Sequence, residues 1–406
     1  MENFESVCDH LKASQPVNPV LCHRPHAAAR SARWFLENFP GDVLYAVKAN
    51  PAPLILDTLY NAGIRHFDIA SVNELKLVHH YVGARLYCMN TVKHPEHIRQ
   101  MYFDYGVRDF SLDCIKELDK ILASTGQATD LRLHVRITVD NTTSYLPLDK
   151  KFGAHPDEAE QLLLTARTVA EELGVSFHVG SQAMNPMAYA SAINRANRLV
   201  RKTGVMLDSL DIGGGFPAAY PGLGPMPLAE YMQVINAAFN ETLTGETCRL
   251  KCEPGRALVA ESASMLVNVL LRKGNWLYLN DGAYGSLFDA AHVDFPYPVR
   301  VMRDGQLVTD DYDTEYRFYG PTCDSIDAIT RPYLLPASMR TGDYIEIGQL
   351  GAYGDAMRTN FNGFGDRDEI VVSEEPLLSL FADSQTGLAD AQHNAAEAAL
   401  TYSNRD

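Results

Sequence analysis

The stretch that decides the fold is YAVKAN, residues 45–50, in which Lys48 closes an apolar run that begins at Val43. The run has the length and composition of a buried β-strand, and Pro51 and Pro53 indicate where that strand ends. Lys48 is therefore predicted to stand where a strand leaves an apolar interior. A lysine among apolar neighbours loses part of its preference for the charged form, so its amine becomes a nucleophile near neutral pH. The alternative is a strand-end lysine that extends its amine into solvent.

Length and composition indicate a globular protein with two domains. The 406 residues are too many for one ordinary core, and 46% hydrophobic with 21% charged residues is typical of soluble proteins. A net charge of −16 argues against nucleic acid or an anionic membrane as partner. No run reaches the roughly 18 apolar residues of a membrane helix, and the acidic N-terminus predicts no signal peptide.

The seven cysteines predict reduced thiols in a cytosol, because their number is odd and their spacing shows no repeat. Cys248 and Cys252 lack a second Cys or His pair, so no metal site is predicted.

Helix and strand patterns alternate between residues 26 and 262. Helices are predicted at 26–38, 53–62, 72–81, 94–104, 114–124, 156–173, 187–203 and 227–243. Strands are predicted at 43–48, 66–69, 85–89, 108–111, 131–137, 176–180, 207–212 and 248–253. Eight strands alternating with eight helices are typical of a closed parallel α/β barrel, in which chemistry gathers at the carboxyl ends of the strands.

From residue 263 the pattern changes to short strands separated by turn residues, which predicts an antiparallel β domain over 263–383. Its strands are predicted at 264–272, 276–280, 299–301, 314–319, 344–347 and 369–372. Residues 1–25 form a segment that is expected to pack against a later part of the chain. Residues 384–406 are predicted to form a tail.

Two predicted barrel strands carry polar residues near their carboxyl ends. Asp68 ends the second strand, and Ser71 with Glu74 then fits a helix capping box, so a structural and a direct role are both open for Glu74. Arg136 would point to the barrel's centre or mouth, where an arginine needs an anion or a carboxylate partner.

Two later strands end in small residues. His178 precedes Gly180 and Ser181, which leave space for a flat ligand against the imidazole, although a lone histidine is more often part of a core. Three glycines follow a strand in DIGGGFP, residues 211–217, so their backbone N–H groups can approach a phosphate closely. The spacing is not that of a dinucleotide-binding loop.

Further candidates lie at the last barrel strand and in the β domain. Glu253 and Arg256 are either a local ion pair or two separate groups, one for a ring nitrogen and one for a phosphate. Cys323 lies in the Gly-Pro turn of GPTCDS, residues 320–325, and Tyr353 lies between two glycines. Alone, each of the last two could be an ordinary turn residue.

In order, the motifs YAVKAN, FDIAS…E, HVGS, DIGGGFP, EPGR, GPTCDS and GAY resemble those of the fold-type III pyridoxal-phosphate decarboxylases, and most closely the ornithine decarboxylases. The match runs from about residue 45 to residue 364. The resemblance implies an alanine-racemase-like eight-stranded (β/α) barrel plus a C-terminal antiparallel β domain that includes the N-terminal segment. It also implies a cytoplasmic homodimer with shared active sites, which decarboxylates L-ornithine to putrescine in polyamine biosynthesis.

The resemblance further implies roles for single residues. Lys48 would hold pyridoxal 5′-phosphate as a Schiff base, His178 would stack on its ring, and Glu253 would keep the ring nitrogen protonated. Cys323 would deliver a proton to the carbanion from the other subunit. The implied cofactor-binding set is Lys48, Asp68, Arg136, His178, Ser181, Gly214, Gly215, Glu253, Arg256 and Tyr353.

For the substrate, the resemblance implies that Asp289 binds the distal amine. Asp324 is a second candidate for that amine, and Tyr284 is a further predicted substrate-binding residue. The chain departs from the eukaryotic pattern in a shortened 284–289 segment, in Phe288 where tyrosine is usual, and in Gln182 where glycine is common.

Other functions within the same resemblance stay open. A diaminopimelate decarboxylase should need a cation for the second carboxylate, yet residues 281–292 contain no Arg or Lys. Lysine, D-ornithine or a substituted ornithine are further candidate substrates. A racemase would place arginine where Glu253 stands. An inactive regulatory homologue should have lost Lys48, Glu253 or Cys323, and all three are present.

Overall fold

The computed structural model describes residues 1–142, 144–148, 150–242 and 248–381, so the predicted tail at 384–406 lies outside the described residues. The chain divides into two compact units. The β unit comprises Met1–Ser31, Ala218–Gly224 and the described residues from Leu258 onward, and the barrel unit comprises Ala32–Pro217 and Pro225–Ala257. The predicted domain boundaries, at residues 25/26 and 262/263, stay predictions.

Strands and helices are numbered here in chain order over the described residues. The strands are β1 (Glu2–Phe4), β2 (Val20–His23), β3 (Asp42–Ala46), β4 (His66–Ile69), β5 (Arg85–Cys88), β6 (Asp109–Leu112), β7 (Arg132–Arg136), β8 (Ser144–Leu146), β9 (Glu172–Ser176), β10 (Ser181–Ala183), β11 (Ser209–Asp211), β12 (Arg249–Cys252), β13 (Ala263–Lys273), β14 (Trp276–Leu279), β15 (Val299–Arg303), β16 (Gln306–Leu307), β17 (Thr314–Tyr319), β18 (Ala328–Leu335), β19 (Tyr344–Ile347) and β20 (Asp368–Val372). The α-helices are α1 (Val7–Ala13), α2 (Pro25–Asn38), α3 (Pro53–Ala62), α4 (Val72–Val78), α5 (Pro95–Arg99), α6 (Ile115–Ser124), α7 (Pro156–Arg167), α8 (Met187–Thr203), α9 (Leu228–Asn240), α10 (Arg256–Val259) and α11 (Phe288–His292). None of these described helices is long and apolar enough to cross a bilayer.

The barrel unit contains a closed parallel barrel, whose strands follow one another around the ring in the order β11-β12-β3-β4-β5-β6-β7-β9. All five residues of β3 are buried, as expected for a strand with helices outside and barrel side chains inside. Neighbouring strands pair in register, for example Ala46 with Asp68. The carboxyl ends of these strands therefore meet at one mouth of the barrel.

One predicted barrel strand is wrong in position. Residues 176–180 were expected to be a strand, but the strand is β9, Glu172–Ser176, and helix α7 ends at Arg167 rather than at residue 173. His178 consequently lies in the loop after the strand and not within it.

Helix signals in the sequence fix the turns at the barrel mouth. Helix α3 begins at Pro53 and is capped at its end by Gly63, whose φ of 117° lies in the left-handed region that favours glycine. Helix α4 is capped by Ser71, whose side chain accepts from the Glu74 N–H. The start of α3 and the Ser71 cap of α4 follow the segments that carry Lys48 and Asp68.

The β unit contains a ten-stranded sheet, counted over the described residues, with the main path β1-β20-β2-β13-β14-β17-β18; β19 pairs with β13 and β15, and β15 pairs with β16. Most pairs are antiparallel, while β1–β20, β2–β20 and β14–β17 are parallel. The N-terminal strands β1 and β2 are part of this sheet. The predicted fold class, a barrel plus a β domain that includes the N-terminal segment, is confirmed.

A buried charge network fastens the N-terminal segment to the sheet. Arg24 is 1% exposed and lies 2.8 Å from Glu346 and 3.0 Å from Glu374, and it also donates to Ser264 at 2.7 Å. A buried guanidinium is tolerated when its donors have such partners, so this cluster ties residues far apart in sequence to one place.

Candidate active site

Lys48 lies one turn beyond strand β3, in a 3₁₀ turn formed by Val47–Ala49. Its Nζ is 3.2 Å from Asp68 Oδ2 at the end of β4, and Asp68 is buried. The Lys48 side chain is 50% exposed, so the expectation that apolar neighbours surround the amine is wrong. What orients the amine here is a buried carboxylate on the adjacent strand.

Glu74 has a structural role in this mouth. Its N–H donates to Ser71 Oγ at 3.2 Å, and its own carboxylate accepts from the Ala70 N–H at 2.7 Å. The predicted Ser71–Glu74 cap is therefore present, with the reciprocal bond made one residue earlier than in the usual capping box.

The His178 ring is held as a neutral imidazole. Its Nδ1 accepts from the Gly180 N–H at 3.0 Å, which leaves the ring proton on Nε2. Burial, reinforced by the charges of Arg136 and Lys48, lowers the pKa of His178 to about 3. The backbone carbonyl of His178 accepts from the buried Asn141 side chain at 3.2 Å, so the loop that carries the ring is fixed.

The glycine loop after β11 is shaped by close backbone approach. A Cβ at Gly213 would lie 2.2 Å from the Phe177 carbonyl oxygen, and one at Gly215 would lie 2.3 Å from that of Gly180. Gly213 and Gly215 also have φ values of 68° and 100°, which glycine adopts at little cost. At Gly214 a Cβ would be 3.2 Å from His178 Nε2, so the loop lies directly beside the imidazole.

A pair of buried carboxyl groups stands at the ends of β11 and β12. Asp211 accepts from the Gly213 N–H at 2.8 Å, and it lies close enough to Glu253 for each carboxyl group to affect the pKa of the other. Burial raises the pKa of Asp211 to about 6, and burial together with Asp211 and Asp68 raises the pKa of Glu253. Glu253 Oε1 is buried without a hydrogen-bond partner within the described part of the chain. Asp211 was not among the predicted site residues, although its position two residues before Gly213, at the end of a predicted strand, was the available signal.

Replacing Asp211 with asparagine is expected to change how stability depends on pH in the cofactor-free protein. Between pH 3.8 and about 6 the folded carboxyl keeps a proton that the unfolded chain releases, so this group's contribution to stability falls as pH rises through that window. Asparagine cannot ionise. The free energy of unfolding of Asp211→Asn relative to wild type should therefore rise from pH 4 to pH 7, by roughly 2–3 kcal/mol.

Urea titrations at pH 4, 5, 6 and 7 would measure this difference. The exposed carboxylate of Asp311 offers a matched control, because Asp311→Asn makes the same chemical change at the surface rather than at a buried site. A flat difference for Asp211→Asn would contradict the raised pKa.

The predicted phosphate-binding residues of the barrel unit lie close to one another. Arg256, at the start of α10, is buried, and its Nε is 3.5 Å from Ser181 Oγ at the start of β10.

Arg136 ends β7, with its guanidinium 5.6 Å from the Phe152 ring. Gln182 is buried and has a φ of 55°, a conformation that favours glycine. Glycine is common at this position in the family that the chain resembles.

Three loops of the β unit come together around Cys323. The Tyr284 hydroxyl donates to Asp324 Oδ2 at 2.7 Å, and this bond lowers the pKa of Asp324 and raises the pKa of Tyr284. Asp327, which is buried, accepts from the backbone N–H groups of Ala283 and Thr322 at 2.7 and 3.0 Å. The 281–287 and 320–327 loops are thus tied to one carboxylate.

The third loop of this group brings Asn362 to the thiol. Asn362 Oδ1 accepts from the Cys323 N–H at 3.1 Å and from its Sγ–H at 3.2 Å. The Phe361 ring lies 4.8 Å from that of Tyr284. Neither Asp327 nor Asn362 was selected from the sequence, because the partners of Asn362 are 39 residues away and no local pattern marks them.

Two predicted residues of the β unit lie outside this three-loop group. Asp289, on helix α11, is buried and accepts from the Tyr297 hydroxyl at 2.5 Å. Tyr353 is half-buried in the turn after Gly351, with a φ of 56° that is uncommon for a residue other than glycine. The roles predicted for both stay predictions.

The barrel mouth fits pyridoxal phosphate on three counts. The unpartnered Glu253 Oε1 can accept from a protonated ring nitrogen, the neutral His178 imidazole offers a flat face, and the glycine loop offers backbone close to that ring. A Cβ at Gly214 would lie 3.2 Å from His178 Nε2 and 2.7 Å from the Glu253 carbonyl oxygen, so the glycine loop, His178 and Glu253 lie close together. No three His, Cys, Asp or Glu side chains in the described ranges form a group suited to a metal ion.

Comparisons with known proteins find similar sequences. Residues 26–260 match the pyridoxal-binding domain of the pyridoxal-dependent decarboxylases. A lysine/ornithine decarboxylase of Selenomonas ruminantium is 33% identical over 82% of this chain and 84% of its own length. The ornithine decarboxylase of Schizosaccharomyces pombe is also 33% identical, over 82% of this chain and 78% of the relative.

Solved structures have the same fold. The arginine decarboxylase of Paramecium bursaria Chlorella virus superimposes with a TM-score of 0.80 at 28% identity, covering 90% of this chain and 99% of that one. The lysine/ornithine decarboxylase of Vibrio vulnificus complexed with putrescine gives a TM-score of 0.76 at 30% identity, covering 91% and 99%.

Proposed function

Since the chain belongs to the pyridoxal-dependent decarboxylases, we propose that it converts L-ornithine to putrescine, a step of polyamine biosynthesis. At the coarser level it is a pyridoxal-phosphate-dependent enzyme that decarboxylates a basic amino acid. The observation that carries the narrower proposal is the Tyr284–Asp324 hydrogen bond next to Cys323. It presents an ionised carboxylate beside the thiol, which suits a substrate with an ammonium group at its far end.

At the barrel mouth, Lys48 holds the cofactor covalently, and Asp68 orients its amine. When bound, pyridoxal phosphate accepts the electron pair that departing carbon dioxide leaves behind. Glu253 would keep a proton at the ring nitrogen by accepting from it, for which its buried, unpartnered Oε1 is suited. His178 supplies a neutral flat surface, and Arg136 helps to keep that imidazole uncharged.

The phosphate is assigned to donors of the barrel unit. Backbone N–H groups of Gly214 and Gly215 act with the Ser181 hydroxyl and the Arg256 guanidinium, and Arg256 Nε lies 3.5 Å from Ser181 Oγ. The family resemblance adds the hydroxyl of Tyr353 to this set.

Cys323 supplies a proton to the α carbon after carbon dioxide leaves, and it does so from a second copy of the chain. The thiol is exposed, and large apolar side chains beside it are exposed too, with Ile326 at 71% and Phe361 at 43%. Such a patch is typical of an interface. We therefore propose a homodimer with shared active sites, in which Asp289 and Asp324 bind the distal amine.

Lysine is the second candidate substrate. The lysine/ornithine decarboxylase of Vibrio vulnificus has been solved with putrescine and with cadaverine. The ammonium group of lysine, one methylene further from the α carbon, would meet the same carboxylate. Diaminopimelate is disfavoured, since its distal carboxylate would meet Asp324 with like charge.

Carbon dioxide release from L-ornithine, D-ornithine, lysine, arginine and diaminopimelate tests the proposal. We expect the highest kcat/KM for L-ornithine, with putrescine as product. A preference for any other member of the panel would defeat the ornithine assignment and leave the coarser activity. The seven cysteines, all in the described part of the chain, are free thiols, which supports a reducing cytosolic compartment for this reaction.

A further inference from the structure

The side chain of Asn362 makes its contacts with Cys323 through one atom. Its Oδ1 accepts from both the backbone N–H and the thiol of Cys323, at 3.1 and 3.2 Å. An amide oxygen can accept from a protonated thiol but not from a thiolate. The contact therefore fixes the direction of Sγ and favours the form that carries a proton.

The backbone of Asn362 shows that this contact depends on an unusual conformation. Its φ of 54° and ψ of 12° are left-handed, and Gly363 follows with a φ of 79°. Asparagine enters this region more readily than most residues other than glycine. The Asn362→Gly variant can therefore keep the left-handed backbone and remove only the amide acceptor. It separates the effect of the side chain from the effect of the backbone conformation.

We propose that Asn362 is a positioning residue that determines where Cys323 delivers its proton. The inference rests on the proposed function of Cys323. In each turnover Sγ gives its proton to the α carbon that has lost carbon dioxide. Cys323 is then a thiolate, which takes a proton from water before the next turnover. A misdirected thiol lets water protonate the cofactor's carbonyl carbon instead, and hydrolysis then gives an aldehyde and pyridoxamine phosphate in place of the amine.

The 320–327 loop is also held by hydrogen bonds that do not involve Asn362. Asp327 binds Thr322 through its N–H and its hydroxyl, at 3.0 and 2.8 Å. Asp327 therefore holds the loop at Thr322 independently of Asn362, whereas the contact with the thiol is made by Asn362 and not by Asp327. A change at position 362 should consequently alter proton delivery more than folding.

The experiment compares Asn362→Gly and Asn362→Asp with wild type and with Cys323→Ala, in the full-length holoenzyme. One measurement is the ratio of aldehyde to putrescine formed from L-ornithine. The other is independent of turnover: the rate at which iodoacetamide alkylates Cys323, followed by peptide mass spectrometry. Cys114, an exposed thiol at the start of α6, serves as the internal reference. Asp304→Gly is the matched control, since Asp304 is another left-handed residue of the β unit, with a φ of 52°.

We expect Asn362→Gly to raise the aldehyde fraction about tenfold and to lower kcat about tenfold, with little change in KM. Iodoacetamide should alkylate Cys323 of this variant several times faster than Cys323 of wild type. Changes of this size correspond to the loss of one hydrogen bond. Asn362→Asp keeps an acceptor and adds a negative charge that disfavours the thiolate, so it should alkylate several times more slowly and keep a clean amine product. Asp304→Gly should match wild type in both measurements.

The outcomes separate this inference from the function on which it rests. A clean amine from Cys323→Ala overturns both. Aldehyde from Cys323→Ala, with the product ratio or the alkylation rate of Asn362→Gly unchanged, overturns only the role of Asn362, because thiol contact and proton destination would then be unconnected.

Discussion

Lys48→Ala is expected to lose nearly all decarboxylase activity, and with it the covalent attachment of the cofactor. Lys48 is placed for attachment by two features: the turn Val47–Ala49 that carries it past strand β3, and the Asp68 carboxylate 3.2 Å from its Nζ. The loss should be at least the roughly 10²- to 10⁴-fold that a positioned proton-transfer group contributes, because the covalent bond is lost as well. Borohydride reduction followed by peptide mass spectrometry would locate the attachment site.

Lys48→Arg is the matched control for this prediction. A guanidinium keeps the charge opposite Asp68 but does not form the covalent bond, so the arginine variant should be as inactive as the alanine variant. If only Lys48→Ala lost activity, the ion pair would be the important feature. A reduced cofactor found on another lysine in either variant would remove Lys48 from the proposed function.

The barrel was predictable because the periodic signal there is local. Strand β3 is an apolar run that ends at a lysine and two prolines, and helix α3 begins and ends at the predicted residues 53 and 62. Strand β9 was misplaced because the helix before it was predicted to run to residue 173, whereas α7 ends at Arg167. Gly174 lies within the strand, where local propensity disfavours glycine. The barrel explains the glycine: a Cβ at position 174 would lie 2.5 Å from Ser209 Oγ and 2.9 Å from His134 Nδ1, so a neighbouring strand and not local propensity requires it.

The β unit was less predictable because its pairings are distant in sequence. Strand β2 pairs with both β13 and β20, and its Cys22 faces Ser264 and Ile370. Strand β18 was not predicted, since Pro332 within it cannot donate to a ladder and argues against a strand. It pairs with β17 through an irregular register.

For the site, the sequence marks residues that chemistry makes unusual and misses those that only hold them. Lys48 and the three glycines stand out by type and position. Asp211 and Asn362 do not, because their significance lies in Glu253 and Cys323, which the fold brings to them. The assigned catalytic and binding roles stay predictions, and the variants described for Lys48, Asp211 and Asn362 test them.

Asp324→Asn is expected to lower kcat/KM for L-ornithine by roughly 10²-fold or more, the scale of losing a charged hydrogen bond worth about 3 kcal/mol. An ammonium group in a partly dry site needs a carboxylate, because an unpaired buried charge is costly. The amide of the variant would keep an oxygen for the Tyr284 hydroxyl, which now donates to Asp324 at 2.7 Å. The change therefore removes the charge and leaves the geometry of the pair. The bound cofactor should be unaffected, as its absorption spectrum would show.

Tyr284→Phe is the complementary control, since it removes the hydroxyl and keeps both the charge of Asp324 and the ring that packs on Phe361. We expect it to lose much less, within about tenfold, because one hydrogen bond of roughly 1 kcal/mol is at stake. If charge is what selects the substrate, Asp324→Asn should also narrow the gap between ornithine and diaminopimelate, by weakening the first and relieving repulsion of the second. An ornithine kcat/KM that Asp324→Asn leaves unchanged, or a Tyr284→Phe loss as large as that of Asp324→Asn, would assign the selectivity to something other than the Asp324 charge.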